Sequence, residues 1–272
     1  MSLAKKYQKK TDIQHVLEHP DTYTGSMEKT SVDTFVYNND RITHKSINII
    51  PGLYKLFDEG IVNCRDHAVR MKQQGGSPVT LISISINDDG VISMENDGDG
   101  IDVIKHPEHD MWIPEMIFGH LRTSTNYNKD EKKIVGGKNG FGVKLIFIWS
   151  TWGKIETVDS SRGIKYVQEF SDNLTKIHSP KITKCKRKSY LKISFRPDYA
   201  RLQLNKLPDD IAQLFERRVY DIAAITDKSV RVKLNGNNVP VRHFQQYVGL
   251  FMEKTTNDKT IPKIYESANE RW

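Results

Sequence analysis

The sequence predicts an α+β fold with helices on one face of a mixed, mostly antiparallel sheet. Three observations predict it. Residues 51–74 repeat their apolar positions with a helical period. Residues 79–95 hold two strand-like runs about a tight turn. Beyond them the expected elements come in blocks of helix, strands, helix, strands and helix, without strict β-α-β alternation.

Residues 1–10 are polar and basic and read as an arm, or as a plain tail; their leading Met-Ser-Leu resembles an expression scar. Asp12 to Glu18 predicts a short helix stopped by His19-Pro20. The next helix begins at Pro51, where a first-turn proline belongs, and ends before Gly75-Gly76. Val79 to Ile86 alternates at period two and is rich in β-branched residues. Asn87-Asp88-Asp89-Gly90 turns the chain and Val91 to Glu95 returns as a second strand. A polar stretch over 96–110 leads to a short helix from Pro114 to His120 and a polar loop over 122–139. Leu145 to Trp149 is apolar. Strands are expected over Gly153–Val158, Ile164–Phe170 and Tyr190–Phe195, and a helix over about 208–224. Val230 to Leu234 reads as a strand, Asn235-Gly236-Asn237-Asn238 as a turn, and about 241–252 as a last helix. No internal repeat is present.

Bulk chemistry narrows the function. The N-terminus lacks the apolar stretch of a secretory signal, and no apolar run is long enough for a bilayer. Two cysteines, Cys64 and Cys185, support neither a disulfide scaffold nor a cysteine zinc site, so a reducing, intracellular compartment is expected. The net charge of +7 favours an anionic partner, nucleic acid before phosphates, although mild basicity also serves solubility alone.

Gly136-Gly137-Lys138-Asn139-Gly140-Phe141-Gly142-Val143-Lys144-Leu145 has the glycine content of a phosphate-holding loop. Its spacing inverts the dinucleotide fingerprint, and the Gly-Lys-Ser/Thr ending of a P-loop is missing. The His-Arg-Asp and Asp-Phe-Gly signatures of protein kinases are absent as well.

On the 51–74 helix, Lys55, Glu59, Asn63, Asp66 and Arg70 fall along one face, opposite Tyr54, Phe57, Ile61, Cys64 and Ala68. The plain reading of the polar stripe is a solvated, salt-bridged surface. The chemical reading gives each residue a task. The neutral side-chain carbonyl of Asn63 suits Mg²⁺, which takes few protein ligands and keeps phosphates and waters. Glu59, one turn earlier, is placed to take a proton from an attacking water. Lys55, a further turn back, is placed to orient Glu59.

Glu95-Asn96-Asp97-Gly98-Asp99-Gly100-Ile101 follows the second strand. Its glycines allow a close backbone approach to a ligand, and a buried Asp97 carboxylate would accept a hydrogen bond from an exocyclic amine. A plain turn is the simpler alternative. A calcium loop is excluded, since the glutamate at position 12 and the flanking helices are missing.

Glu59-x-x-x-Asn63, then Asp97-Gly98-x-Gly100, then Gly136 to Leu145 resemble, in order and spacing, the three signatures of the GHKL ATPases, whose nucleotide pocket is the Bergerat fold. Further segments are similar to the ATPase region of eukaryotic-type (type IIA) topoisomerases: Tyr7 to Thr11, His19 to Ser26, Pro51 to Glu59, Ile117 to Tyr127, and the stretch from Asn235 to Trp272. The resemblance covers nearly the whole chain. It implies a two-layer Bergerat sandwich over 11–247, an N-terminal strap over 1–10, and the start of a truncated transducer domain over 248–272. It implies ATP and Mg²⁺ as ligands, with Glu59 as general base supported by Lys55, and Asn63 on the metal. Asp66, His67, Asp97 and Ile101 are implied around the base and ribose, with His67 either replacing an asparagine or merely exposed. Ser124, Thr125 and Asn126 are implied on phosphate or ribose, and Gly137, Lys138, Asn139, Gly140, Phe141, Gly142, Val143 and Lys144 in the lid. Tyr7 is implied on the partner's nucleotide in an ATP-closed homodimer. Duplex DNA is the implied substrate of the whole enzyme, in the nucleus or at a viral replication site.

Some features depart from that pattern. No Gln-Thr-Lys occurs, and Cys64-Arg65-Asp66-His67 stands where Ala-Ala-Asp-Asn is usual. The chain is therefore expected to be a fragment that binds nucleotide better than it hydrolyses it. The alternatives are another GHKL ATPase, of chaperone or mismatch-repair type, and a nucleotide-gated dimerisation module with little turnover. Lys181 to Lys188 is a basic run expected in a loop, either solvated or facing DNA.

Overall fold

A computed structural model describes residues 7, 9–123, 141–252, 264 and 266. Helix α1 (Asp12–Glu18) opens with a capping box: Thr11 Oγ1 accepts from the Gln14 amide at 3.2 Å, and Gln14 answers on the Thr11 amide at 2.9 Å. A 3₁₀ turn (Pro20–Thr22) follows. Next come β1 (Thr30–Asn38) and β2 (Arg41–Ile49), paired antiparallel as a separate two-stranded sheet. Helix α2 (Pro51–Gln74) carries Pro51 in its first turn and stops at Gly75, whose φ of +68° suits glycine.

Among the described residues, the main sheet has nine strands: β3 (Leu81–Ile86), β4 (Ile92–Asp97), β5 (Ser150–Asp159), β6 (Ile164–Ser171), β7 (Lys176–Ile177), β8 (Lys181–Lys184), β9 (Tyr190–Pro197), β10 (Arg231–Leu234) and β11 (Asn237–Asn238). Their order is β11-β10-β3-β4-β9-β5-β6-β7, with β8 also on β6. Among the described residues only β10 and β3 run parallel, so the sheet is mixed and mostly antiparallel, as expected. The remaining helices are α3 (Ile113–Gly119), α4 (Gly142–Ile148), α5 (Asp209–Ile225) and α6 (Phe244–Gly249).

Helix α2 is the hub. It touches α4, α5, β3 and β4. Phe57 stacks on Phe215 of α5 with centroids 4.1 Å apart and rings tilted by 8°. Gly60 lies so close to Met94 of β4 that a Cβ there would overlap the thioether. Phe57, Ile61 and Cys64 are buried as the helical period predicts, and so are Leu53, Leu56, Gly60 and Met71. The buried surface is wider than a single stripe because the sheet and two helices close on α2 from different sides. Each of the Leu, Ile, Phe and Met side chains among these contributes about 1.5–3 kcal/mol on leaving water.

Five expectations need correction. The sequence pattern predicts no element over 24–50, where β1 and β2 lie. Their burial is confined largely to Val36, Ile42 and Ile47, so most positions keep polar or exposed side chains and the apolar alternation is faint. The first of the two central strands starts at Leu81 and not Val79, because Asp97 takes the Thr80 and Leu81 amides at 2.7 and 2.8 Å. The basic run is not all loop: Lys181–Lys184 pairs with β6, where lysines on an exposed edge strand discourage further pairing. Leu145 to Trp149, apolar without an assigned element, belongs mostly to α4. The last helix is also shorter than predicted.

Candidate nucleotide site

On α2 the spacing of four residues brings Lys55 Nζ within 2.6 Å of Glu59 Oε1. Asn63 lies one turn further on and is exposed. Asp66 belongs to the same stripe but is 7% exposed, so the stripe is not a uniformly solvated face. The Arg65 guanidinium lies 3.8 Å from Asp66.

The first residue of α4 rests on this pair. A Cβ at Gly142 would overlap Oε2 of Glu59. Any larger residue there would push the Glu59 carboxylate aside, which gives the glycine a packing reason independent of any ligand. Phe141 and Val143 are half-buried against the core, and Lys144 is 1% exposed. The Lys144 ammonium donates to the Thr123 carbonyl at 2.5 Å, and burial lowers its pKa to about 8. Thr123 Oγ1 in turn donates to the Met116 and His120 carbonyls at 2.6 and 2.9 Å. Thr123 thus ties the end of α3 to α4. It sits inside the motif read from sequence, yet nothing in its residue type singles out this tie.

The turn after β4 stands beside the same helix. Gly98 has φ +115° and Gly100 φ +72°. A Cβ on Gly98 would come within 2.7 Å of His67 Nε2, and one on Gly100 within 2.5 Å of the Val158 carbonyl. Both glycines are needed for conformation and for space. The Asp97 carboxylate is half-buried, not buried as expected. It accepts from the Thr80 hydroxyl at 2.5 Å besides the Thr80 and Leu81 amides. Three donors hold it in place and leave part of its acceptor capacity over. The Ile101 amide donates to Thr157 Oγ1 at 3.1 Å, so Thr157 of β5 braces the turn from a distant part of the chain.

His67 is partly enclosed. Its Nδ1 lies 3.4 Å from the Arg70 guanidinium, and its buried Nε2 has no hydrogen-bond partner. Burial first, and the Arg70 charge second, lower its pKa. It is therefore not the merely exposed residue that one reading of the sequence allowed. Tyr7 is 70% exposed. Ser124, Thr125, Asn126, Gly137, Lys138, Asn139 and Gly140 lie outside the described residues. The structure therefore gathers Lys55, Glu59, Asn63, Asp66, His67, Asp97, Phe141, Gly142, Val143 and Lys144 around α2 and the segments that flank it.

The chain as a whole is similar to known proteins. No family model matches it. It is 42% identical over 278 residues to DNA topoisomerase 2 of Acanthamoeba polyphaga mimivirus, covering 100% of this chain and 21% of that protein. It is 42% identical over 270 residues to DNA topoisomerase 2 of Arabidopsis thaliana, covering 98% of this chain and 18% of that protein. The chain thus spans about a fifth of the length of the curated relatives it matches. Among solved structures, the ATPase region of Saccharomyces cerevisiae topoisomerase II superposes with a TM-score of 0.86 at 42% identity, over 92% of this chain and 65% of that one. The ATPase and transducer domains of Balamuthia mandrillaris DNA topoisomerase II give 0.86 at 40% identity, over 92% and 64%. With fold and near-complete alignment of this chain in agreement, the chain belongs to the family of the ATPase region of DNA topoisomerase II.

Proposed function

We propose that this chain binds and hydrolyses ATP as the N-terminal gate of a type IIA topoisomerase, closing a homodimer so that duplex DNA can be passed. The observation that carries the reading is the stacked arrangement on α2: Lys55 on Glu59 at 2.6 Å, Asn63 one turn on, and the start of α4 seated on the Glu59 carboxylate. Glu59 accepts the proton of the attacking water, and Lys55 holds its carboxylate in one orientation. Asn63 offers one exposed neutral oxygen. That fits Mg²⁺, which keeps phosphates and waters as its other ligands. Such an ion supplies charge neutralisation for the phosphates when bound. Asp97 and His67 face the base and ribose. Gly137 to Lys144 close over the phosphates through backbone N–H groups, Ser124, Thr125 and Asn126 complete the phosphate and ribose contacts, and Tyr7 reaches the partner's nucleotide. Residues 1–10 are assigned as strap, 11–247 as ATPase domain and 248–272 as the start of a transducer domain. The site of action is intracellular, in the nucleus or at a viral replication site. Among the described residues, no helix is long and apolar enough to cross a membrane.

Calorimetric titration with a non-hydrolysable ATP analogue and Mg²⁺ tests this, with Asn63→Ala beside the native chain. Binding by the native chain that weakens at least about tenfold in the variant is expected, as for loss of one direct metal ligand. Equal binding by both would remove Asn63 from the site. Crosslinking with and without the analogue, set beside phosphate release, separates a turning-over ATPase from a dimerisation module.

A further inference from the structure

The connection from β4 to α3 holds a cluster that nucleotide chemistry leaves unused. Lys105-His106-Pro107-Glu108-His109-Asp110 folds into a closed turn. Lys105 and Trp112 form an isolated antiparallel bridge at its base. The His106 amide donates to the Met111 carbonyl at 2.7 Å, and the Ile113 amide to the Ile104 carbonyl at 2.9 Å. The Asp110 amide returns to the His106 carbonyl at 3.2 Å, with Asp110 at φ +45°. Lys105 pairs with Asp110 at 2.7 Å. The turn is thus tied by its own backbone, and Pro107 restricts it further.

It presents three metal-ligating side chains on one surface. The His106 and His109 rings stack with centroids 4.7 Å apart and a 21° tilt. One ligand atom from each of His106, Glu108 and His109 lies within 4.8 Å of the others. Among the described residues, no other three histidine, cysteine or acidic side chains come this close together. His106 is half-buried, and the other two are exposed.

We propose that His106, Glu108 and His109 bind a divalent transition-metal ion of the zinc class. Two imidazoles and one carboxylate match the borderline-soft preference of Zn²⁺, whereas Mg²⁺ and Ca²⁺ favour all-oxygen sets. Ligand atoms about 2.0–2.2 Å from one tetrahedral ion stand roughly 3.4 Å from each other. The three side chains therefore close by up to about 1.4 Å, which side-chain rotation supplies without unfolding the turn. One existing bond opposes this: the Glu108 amide donates to His106 Nδ1 at 3.2 Å. Ligation through Nδ1 replaces that bond, and ligation through Nε2 puts a proton on Nδ1 and breaks it. The bond is at the long limit for an amide donor, so its loss is a small cost. Three protein ligands leave positions for water or a partner group.

The test is calorimetric titration of the tag-free chain with Zn²⁺, with His106→Gln and His109→Gln alongside. A third variant, His15→Gln with His19→Gln, is the control, because those rings also lie 4.7 Å apart. One Zn²⁺ per chain is expected, at least about tenfold weaker in either turn variant and unchanged in the control. Ring resonances of His106 and His109 in the native chain should shift on adding Zn²⁺, a readout that needs no variant to fold. Absence of zinc binding, unchanged binding in both turn variants, loss in the control, or unmoved ring resonances would each overturn the proposal. Since the probe is the metal without nucleotide, either result leaves the ATPase reading where it was.

Discussion

Glu59 meets three different constraints at once. Lys55 approaches it at 2.6 Å, the backbone of Gly142 lies against it, and Asn63 stands one turn beyond. A carboxylate held in this way is suited to one proton-transfer geometry. Glu59→Gln keeps the shape and loses the base. It should lower phosphate release by about 10²–10⁴-fold while analogue binding persists. Loss of both together would make Glu59 a binding residue and not a general base. His67 gives a second prediction. Its folded-state pKa lies below the ordinary histidine value because burial penalises the imidazolium. Below about pH 6.5 the unfolded chain therefore binds more protons here than the folded chain. The stability that His67 contributes is fully present above that pH and is lost as pH falls through the folded value. In urea unfolding between pH 7 and 5, His67→Asn should lose less stability than the native chain. Parallel losses would refute that linkage.

At the scale of elements, the β1–β2 hairpin shows how a fold component hides in polar sequence. Asn39 and Asp40 both have positive φ, at 49° and 61°, as a two-residue type I′ turn requires. The Asp40 carboxylate also accepts from the Tyr37 hydroxyl at 3.0 Å. Asn39 is therefore the cleaner site to probe. Asn39→Val should cost about 1–2 kcal/mol, since a β-branched side chain resists the left-handed region, and Asn39→Gly should be neutral or stabilising. Thermal unfolding of both variants decides, and equal midpoints would mean that the turn carries no conformational strain. The signal was present in the sequence: Asn38-Asn39-Asp40 between runs containing Val, Thr, Phe and Ile is turn chemistry. It was outweighed because three buried positions in two nine-residue strands leave little alternation to read.

Across the whole molecule, α2 joins the layers. Its Phe57 packs on Phe215, α5 in turn carries the small β1–β2 sheet, and Gly60 sits on β4. The helix that bears Lys55, Glu59 and Asn63 is thus held by fully buried core side chains. Phe215→Ala should cost about 3–5 kcal/mol in denaturant unfolding. Because Phe215 backs the helix that bears the site, analogue affinity should fall as well. Affinity unchanged at full folding would show that the site does not depend on this stack.

What the sequence by itself determined is local and periodic. The α2 helix with its ends, the turn at Asn87–Gly90, the Lys55-Glu59-Asn63 spacing and the glycines of the two loops could all be read, because each follows from residues a few positions apart. The tertiary structure decided what depends on residues far apart. It turned Asp97 toward Thr80 and Leu81, buried Asp66 within a polar stripe, and braced Ile101 from Thr157. It also placed the Glu59 carboxylate against Gly142, and it placed the Lys144 ammonium on the Thr123 carbonyl. Burial and partner choice are properties of packed neighbours, and a one-dimensional period carries no information about which neighbours those will be.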